Sequence, residues 1–540
     1  MDADQRPPPP DVSMIRNWRS ILTLIVFAIT NTVVSFPFHI PIPVPRAAWN
    51  GFLGGLSSLH LISRPDDGAK SGRWKVLRLH ISTITAPLYA CLLLLACQAI
   101  GRDEVYAGTV GANHVEPIDV MVFFITLAYI AISIDASGLL RYLAYRVLKK
   151  SGAHGRRLYT YLYWFFFAVG TVIGNDPIVL SGTAFLAYMF RASSNMSSAR
   201  AWIFSQFAVA NISSAILVSS NPTNLVLAGA FQIKFIDYTA NMIVPAVVTG
   251  LVLCPCLLFL VFRSEKLVPR SIDMHTLSDA EKEREPVNPN VPFAGYGEDR
   301  TPVGEILNPY LDRRHAIVSC AIMAATLTSV LLINAITASR GGDPTPVMYV
   351  TAPAAFLCFC HDMWSGWRSR RETRDVAARG RALAERAAVE EELRARAAGP
   401  ATAAVVASAD NGRSSSSSDN GAAPNPAASS SDGEKMGGPP SPWGEKQHRD
   451  RAAAVTRELE QRRAQQGARP ATLVSAARHA NMWWRDTFPA ASTVLTRLPF
   501  ALVPFAFSMF ILVEALVTKG GRASWAPSPA WGSWAFSCPT

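Results

Sequence analysis

Charged residues are scarce in this chain, since only 17% of its 540 residues are Asp, Glu, Lys or Arg, whereas 49% are hydrophobic. They are also unevenly placed, because residues 365–485 are almost entirely polar and leave the rest still more apolar. Several mainly apolar runs are long enough to cross a hydrocarbon core about 30 Å thick. The composition therefore excludes an ordinary soluble protein and predicts an all-α, polytopic transmembrane helical protein in a lipid bilayer.

Other signals are missing as well. The eight cysteines have no spacing typical of a disulfide framework. The net charge of +11 comes from Lys and Arg residues between the apolar runs, as expected of cytoplasmic loops, and no zinc-finger or basic-heptad pattern accompanies them, so no nucleic acid is expected as a partner. The first twenty residues carry no cleavage-site pattern, so we expect the first apolar run to be retained as a span. Nothing distinguishes plasma membrane from vacuole.

The positions of the apolar runs and of the basic connections predict the organisation of the chain. Seven runs qualify as membrane spans: Ser20–Phe38, Val76–Ile100, Ile118–Ile134, Phe235–Phe262, Ala316–Ala338, Val347–Cys360 and Thr496–Thr518. The predicted segments are an N-terminal tail 1–19, a first transmembrane repeat 20–262, a cytoplasmic loop 263–314, two transmembrane helices 315–361, a largely disordered polar cytoplasmic insertion 362–490, a transmembrane helix 491–518 and an atypical tail 519–540. Within the insertion, Arg368–Ala398 and Arg451–Gln465 are compatible with charged helices. The stretch 400–445 is predicted to be disordered because its Ala-, Ser- and Gly-rich composition buries little apolar surface.

Two polar, helix-breaking stretches interrupt long apolar segments. One is Gly174-Asn175-Asp176-Pro177, within 159–190, and the other is Ser219-Ser220-Asn221-Pro222-Thr223-Asn224, within 202–231. Non-helical backbone at membrane depth is tolerated only where it is buried in protein or lines a wet cavity. Basic residues lie beyond both ends of 159–190, which predicts a re-entrant hairpin with its tip at the break. The segment 202–231 is expected to cross the membrane as a discontinuous helix.

These breaks hold the candidate binding residues, which are Asn175, Asp176, Ser219, Ser220, Asn221, Thr223 and Asn224. Oxygen atoms of this kind suit a hard cation such as sodium, which we place at Asn175, Asp176 and Asn221. Free amides at the start of a half-helix suit a carboxylate or an oxyanion. The alternative is a pair of structural kinks that Asn and Ser residues cap.

Signals of catalysis are lacking in the apolar runs. No His/Glu metal motif and no nucleophile with a neighbouring base occurs there, so we predict neither an enzyme, nor a catalytic residue, nor a bound cofactor. The stretch Cys358-Phe-Cys360-His361 has side chains that bind soft metals, but thiols two positions apart on a helix do not face each other. No metal site is therefore predicted beyond sodium.

The order of an amphipathic helix at 138–150, a Gly-Asn-Asp hairpin and a Ser-Ser-Asn-Pro-Thr-Asn broken helix resembles the ion transporter superfamily. That superfamily includes citrate transporter-like proteins, arsenite pumps and sodium/proton antiporters, and the large insertion is most similar to its eukaryotic, fungal-like citrate transporter branch. The resemblance implies inverted repeats, each with one hairpin and one broken helix, and a substrate and a cation between their tips. It also implies a secondary transporter of a small anion, coupled to sodium or protons, and a homodimer. A sodium/proton antiporter, in which Asp176 titrates, stays open.

The sequence departs from this pattern after Thr518. A second hairpin and a second broken helix are expected there, but a Trp- and Pro-rich stretch follows instead. The second repeat is therefore expected to be incomplete. This leaves open another class of function, a non-transporting membrane scaffold whose 365–485 loop recruits cytoplasmic partners.

Overall fold

The computed structural model describes residues 17–61, 73–111, 116–273 except 153, 194, 197 and 232, 285–296, 308–339, 346–397, 453–462, 464 and 472–519. The chain is predominantly α-helical there, and five of its segments are long and apolar enough to span a membrane. These are Trp18–Ser35, Pro117–Ala136, Phe235–Val261, Arg313–Ile333 and Pro489–Thr518. The prediction of an all-α, multi-pass membrane protein is confirmed.

The elements follow one another in this order: α1 Trp18–Ser35, β1 Phe38–Pro45, α2 Arg46–Ser58, β2 Trp74–Ile81, α3 Thr85–Ala96, α4 Arg102–Thr109, α5 Pro117–Ala136, α6 Leu139–Ser151, α7 Gly155–Ile173, α8 Asn175–Ala192, α9 Arg200–Ser213, α10 Pro222–Ala230, α11 Phe235–Pro255, α12 Arg313–Ser339, α13 Met348–Ala397, α14 Leu473–Thr487, α15 Pro489–Arg497 and α16 Leu502–Lys519. A short 3₁₀ turn, Val218–Ser220, precedes α10, and a π-helical turn, Cys256–Val261, follows α11.

Helix α5 lies at the centre of the bundle. Fifteen of its twenty residues are buried, and it packs against α12, α13 and α15. Phe123, Leu127 and Ile130 on α5 form a core with Met323 of α12 and with Cys358 of α13. In the other four candidate spans only 17% to 28% of the apolar window is buried, as expected of helices that face lipid.

The predicted hairpin segment forms a second core. Helices α7 and α9 pack closely together, α8 packs on both, and the amphipathic α6 covers α7 and α8. The buried side chains Leu158, Leu162, Phe166, Leu186 and Met189 fill the space between these helices. Helix α6 begins after Gly138, and it buries Leu140, Ala144 and Leu148 at helical spacing, as the sequence predicts.

The predicted span Val76–Ile100 is wrong in its first half. Residues Trp74–Ile81 form β2, which pairs antiparallel with the proline-rich β1, and only Thr85–Ala96 is helical. The prolines of β1 are tolerated because they occupy alternate positions along the strand. Pro41, Pro43 and Pro45 occupy every second position, and because alternate residues of an antiparallel strand point away from the partner, missing N–H groups there need not interrupt the ladder.

Helix α13 differs most from the expected organisation. It runs without a break from Met348 to Ala397, so it continues the predicted span Val347–Cys360 far into the predicted disordered insertion. Its polar part is rich in the helix formers Ala, Glu and Arg, and it carries i,i+4 ion pairs such as Glu390–Arg394. It also packs along α14, another helix within the insertion. The remaining stretch, 398–452, lies outside the described residues.

The predicted span Thr496–Thr518 is interrupted near its start. Helix α15 ends at Arg497 and α16 begins at Leu502. Leu498 is extended, with ψ of 134°, because the residue before a proline is disfavoured in helical conformation and Pro499 follows. Helix α16 packs against α1, α3 and α4 as a third layer. The tail 520–540 and the N-terminal residues 1–16 lie outside the described residues.

Candidate functional site

The hairpin turns at Gly174, between α7 and α8. Its backbone has φ of 94° and ψ of 171°, a region that only glycine adopts readily. Its amide donates to the Gly170 carbonyl (3.1 Å) and so closes α7, and α8 starts directly afterwards with Asn175 and Asp176. Pro177 lies in the first turn of α8, where its missing N–H interrupts no helical hydrogen bond. The four residues of this break thus make a sharp helix–helix connection.

The second break separates α9 from α10. Helix α9 ends at Ser213, and Asn221 is extended (φ −152°, ψ 132°) immediately before α10. The Asn221 side-chain oxygen accepts a hydrogen bond from the backbone N–H of Thr223 (3.0 Å), which is the contact that an N-cap residue makes. Pro222 at the first position of α10 fits the same arrangement.

The two breaks touch each other. A methyl group at Gly174 would lie 2.7 Å from the Ser220 carbonyl oxygen, so the backbones are in direct contact and no larger residue fits. The Ser220 hydroxyl donates to the Thr171 carbonyl (2.5 Å) in the last turn of α7. As a result, the start of α8 and the 3₁₀ turn before α10 are held side by side.

Asn224 holds the second break in shape. This buried side chain donates to the carbonyls of Ser214 (2.8 Å) and Leu217 (2.9 Å), which lie beyond the end of α9; the Leu217 carbonyl also accepts the backbone N–H of Ser220 (3.1 Å) in the 3₁₀ turn. Ser220 is likewise buried. Both residues therefore shape the backbone of the break.

The other predicted site residues are more accessible. Asp176 and Thr223 are exposed, and Asn175, Ser219 and Asn221 are half-buried. The Asn175 amide donates to the side-chain oxygen of Asn211 (3.3 Å) on α9. The structure thus brings both predicted stretches to one place, with Ser220 and Asn224 inside it and Asp176 and Thr223 on its open side.

The electrostatics of this place follow from its two helix N-termini. Helices α8 and α10 both begin at the contact between the breaks, and each N-terminus carries about half a positive charge. Such a pair of N-termini suits the negative charge of a carboxylate or an oxyanion. Asp176, in the first turn of α8, adds a carboxylate that suits a small cation or a proton. The arrangement can therefore accommodate opposite charges next to each other.

Sequence reasoning missed a buried polar cluster on the other core. Asp362 of α13 is 0% exposed and lies 2.9 Å from His315 Nε2 of α12, and Tyr129 and Ser133 of α5 both donate to its carboxylate. Tyr129 and Ser133 lie 233 and 229 positions from Asp362 in the chain, so no local pattern joins α5 to α13. The only local signal is a charged residue within an apolar stretch, which indicates function inside a membrane protein.

The chain is similar to two groups of known membrane proteins. The citrate transporter family model matches residues 74–369, which include both breaks and the buried polar cluster. Arsenical pump membrane proteins are similar over a shorter region. The Escherichia coli K12 protein is 29% identical over 165 residues, 30% of this chain and 38% of that protein, and the Yersinia enterocolitica protein is 26% identical over 155 residues, 28% and 35%.

The match spans less than two fifths of the length of these curated relatives. The family nevertheless confirms the predicted resemblance to the ion transporter superfamily, and it confirms the prediction that the chain is not an enzyme. Because the family model covers more than half of the chain, the assignment does not depend on the arsenical pump proteins. The chain belongs to the citrate transporter family.

Proposed function

We propose that this protein is a secondary transporter of a small anion, either a citrate-like carboxylate or an arsenite-like oxyanion, and that sodium ions or protons drive it. The contact between the breaks at Gly174 and Ser220 carries the proposal, since it sets the N-termini of α8 and α10 beside each other. The family description and the names of the arsenical pump relatives support an anion as the cargo.

Each predicted residue has a role in this proposal. The anion binds at the N-termini of α8 and α10, next to Thr223 and Ser219, and the coupling cation binds at Asp176 with Asn175 and Asn221. Buried Ser220 and Asn224 position the backbone through their bonds to carbonyls of α7 and of the α9–α10 connection. An anion and a cation bound side by side neutralise each other's charge, which gives a physical reason for coupled binding.

The existence of two cores supports alternating access. One core joins α6, α7, α8 and α9, and the other centres on α5 with α12 and α13. Leu225 and Ala228 of α10 pack in the second core, so the site lies between the two units, and we propose that one unit moves against the other. Packed cores shift between discrete arrangements rather than deform continuously, so such a unit can move as a body.

A second candidate is sodium/proton exchange. Asp176 is an exposed carboxylate at the site, and protonation and sodium binding would compete for the same oxygens. In that case the two breaks bind only the cation, and no anion is transported.

Transport by the purified protein in lipid vesicles tests the proposal. We would measure uptake of radiolabelled citrate and arsenite under an imposed sodium gradient and, separately, under a pH gradient. We expect Asp176→Asn and Asn221→Ala each to lower the rate at least tenfold, which corresponds to about 1.4 kcal/mol. Matched controls are Asp237→Asn, an exposed acid in the first turn of α11, and Asn241→Ala on the same helix.

The controls should keep the wild-type rate. Unchanged anion flux in both site variants would refute the assignment of the site. Cation flux without any anion flux would favour the exchanger instead.

A further inference from the structure

The buried polar cluster between α5, α12 and α13 contains three metal-ligating side chains. His315 lies in the first turn of α12, and His361 and Asp362 are neighbours on α13. One donor atom from each residue lies within 4.8 Å of the other two. We propose that these three residues bind one divalent transition-metal ion of the zinc type, at a site separate from the two breaks.

The distances fit a tetrahedral ion. Zinc binds imidazole nitrogen and carboxylate oxygen at about 2.0–2.2 Å, so tetrahedral ligands lie roughly 3.3 Å apart. Here His315 Nε2 lies 2.9 Å from Asp362 Oδ1, and His361 Nδ1 lies 3.6 Å from the same oxygen. These two values bracket the required separation, and the third pair, the nitrogens of His315 and His361, lies within 4.8 Å.

An unpartnered nitrogen points to a ligand at this place. His361 Nδ1 is buried and, among the described residues, has no hydrogen-bond partner. Its 3.6 Å distance to the Asp362 carboxylate is too long for a hydrogen bond. A buried polar atom without a partner is unfavourable, because it has lost its hydrogen bonds to water. A metal ion bound to Nδ1 would remove this penalty.

The surrounding groups already orient the carboxylate. The Tyr129 hydroxyl donates to Asp362 Oδ2 (2.9 Å), and the Ser133 hydroxyl lies 3.1 Å from Oδ2, 3.2 Å from Oδ1 and 2.9 Å from His315 Nε2. Both histidine nitrogens lie on the Oδ1 side of the carboxylate. Hydrogen bonds of this kind to a ligating carboxylate are typical of metal sites, where they fix the direction of its lone pairs.

The choice of ligands selects the class of ion. Two imidazoles and one carboxylate suit Zn²⁺, Co²⁺ or Ni²⁺, whereas Mg²⁺ and Ca²⁺ require oxygen ligands. Cys358 Sγ contacts the Ser319 hydroxyl (4.0 Å) and is not one of the three grouped ligands, so a soft ion such as Cu⁺ is not favoured. With three protein ligands, the fourth tetrahedral position is left for water.

Metal binding would link the first turn of α12, through His315, to α13, through His361 and Asp362. His361 and Asp362 lie where α13 changes from the apolar sequence before Cys360 to the charged sequence after Arg368. The ion would therefore fix the angle between two helices of the α5 core. None of its ligands belongs to the site proposed for transport, so either proposal can fail without the other.

Direct binding to the full-length protein in detergent tests the site, with Zn²⁺ or Co²⁺ as the probe and no anion present. After treatment with a chelator and desalting, we expect the wild type to take up one equivalent of Zn²⁺ and to give the visible absorption of four-coordinate Co²⁺. His361→Ala should abolish both signals. Ser133→Ala, which removes only an orienting hydroxyl, should weaken binding by about 10–100-fold.

Two controls separate this site from other histidines and from misfolding. The rings of His39 and His80 lie 4.1 Å apart on the paired strands β1 and β2, so His39→Ala/His80→Ala removes a second histidine pair of the described residues and should leave the bound equivalent of Zn²⁺ unchanged. The His361 side chain is 23% exposed, so we expect His361→Ala to fold and to elute as the wild type does. His361→Cys should restore Zn²⁺ binding and add a thiolate-to-cobalt absorption band.

Equal Zn²⁺ uptake by the wild type and His361→Ala would overturn the assignment. Complete loss of Zn²⁺ uptake in the His39→Ala/His80→Ala variant would also overturn it. A wild-type protein that binds no Zn²⁺ would do the same, and would make the cluster a hydrogen-bonded polar core.

Discussion

Replacement of Gly174 by alanine tests the contact between the two breaks. The substitution has two separable effects. A residue with a Cβ is strained at φ of 94° and ψ of 171°, which costs about 1–3 kcal/mol. In addition, the new methyl group would lie 2.7 Å from the Ser220 carbonyl, and forcing extra volume into a packed contact costs about another 1–3 kcal/mol.

Gly152 provides a matched control. It also has a positive φ (62°, with ψ of −152°), but a methyl group there would meet nothing within 4 Å. Gly152→Ala should therefore suffer the backbone strain alone, about 1–3 kcal/mol, whereas Gly174→Ala should lose about 2–6 kcal/mol. We would compare unfolding of both variants in detergent by titration with a denaturing surfactant, and measure transport by both in vesicles.

The expected pattern has two parts. Gly174→Ala should unfold at a lower surfactant fraction than Gly152→Ala, and only Gly174→Ala should lose transport, because only that change separates the N-termini of α8 and α10. If the two variants are equally stable and equally active, the breaks do not touch as described, and the reasoning about the site fails.

Two further predictions concern single contacts. Ser220→Ala removes the hydrogen bond to the Thr171 carbonyl and should lower the free energy of unfolding by about 0.5–1.5 kcal/mol, measured in the same surfactant titration; a stability equal to the wild type would contradict this contact. Arg497 bonds to Asp135 at 2.8 Å, and the Asp135 side chain is only 4% exposed. Arg497→Ala should therefore cost about 3 kcal/mol by leaving a buried charge unpaired, and Arg497→Ala/Asp135→Asn should recover part of that loss in thermal unfolding.

The hairpin and the broken helix could be predicted because their signals are local. Glycine, asparagine and proline stop a helix wherever they stand together, and the apolar residues on either side define how far each half-helix runs. The same is true of α6, whose apolar residues recur at helical spacing. Contact between the breaks at Gly174 and Ser220 was only an expectation from the resemblance, since no pattern in the sequence fixes the distance between two helices.

The parts that sequence reasoning missed depend on partners far away in the chain. By sequence alone, β1 is predicted to be a proline-rich connection, because its partner strand β2 begins more than thirty residues after the start of β1. By sequence alone, Asp362 only follows the end of a short predicted span. Its role in a cluster is not predicted, because its partners His315, Tyr129 and Ser133 lie on other helices. The polar half of α13 is compatible with a charged helix by its composition, but the sequence does not predict that it continues the preceding span or that it packs along α14 through the bidentate contact of Arg381 with Asp486. Tertiary packing decides these cases over local preference.

The length of α13 has a mechanical consequence. At 1.5 Å per residue, the helix extends about 50 Å beyond Asp362 to its end at Ala397. A tilt of about 5° about its buried part would therefore move the far end by roughly 5 Å. The first part of α13 packs in the α5 core, and its polar part packs along α14. A small rotation of the packed part would therefore displace the far end of α13 by about the height of one helical turn.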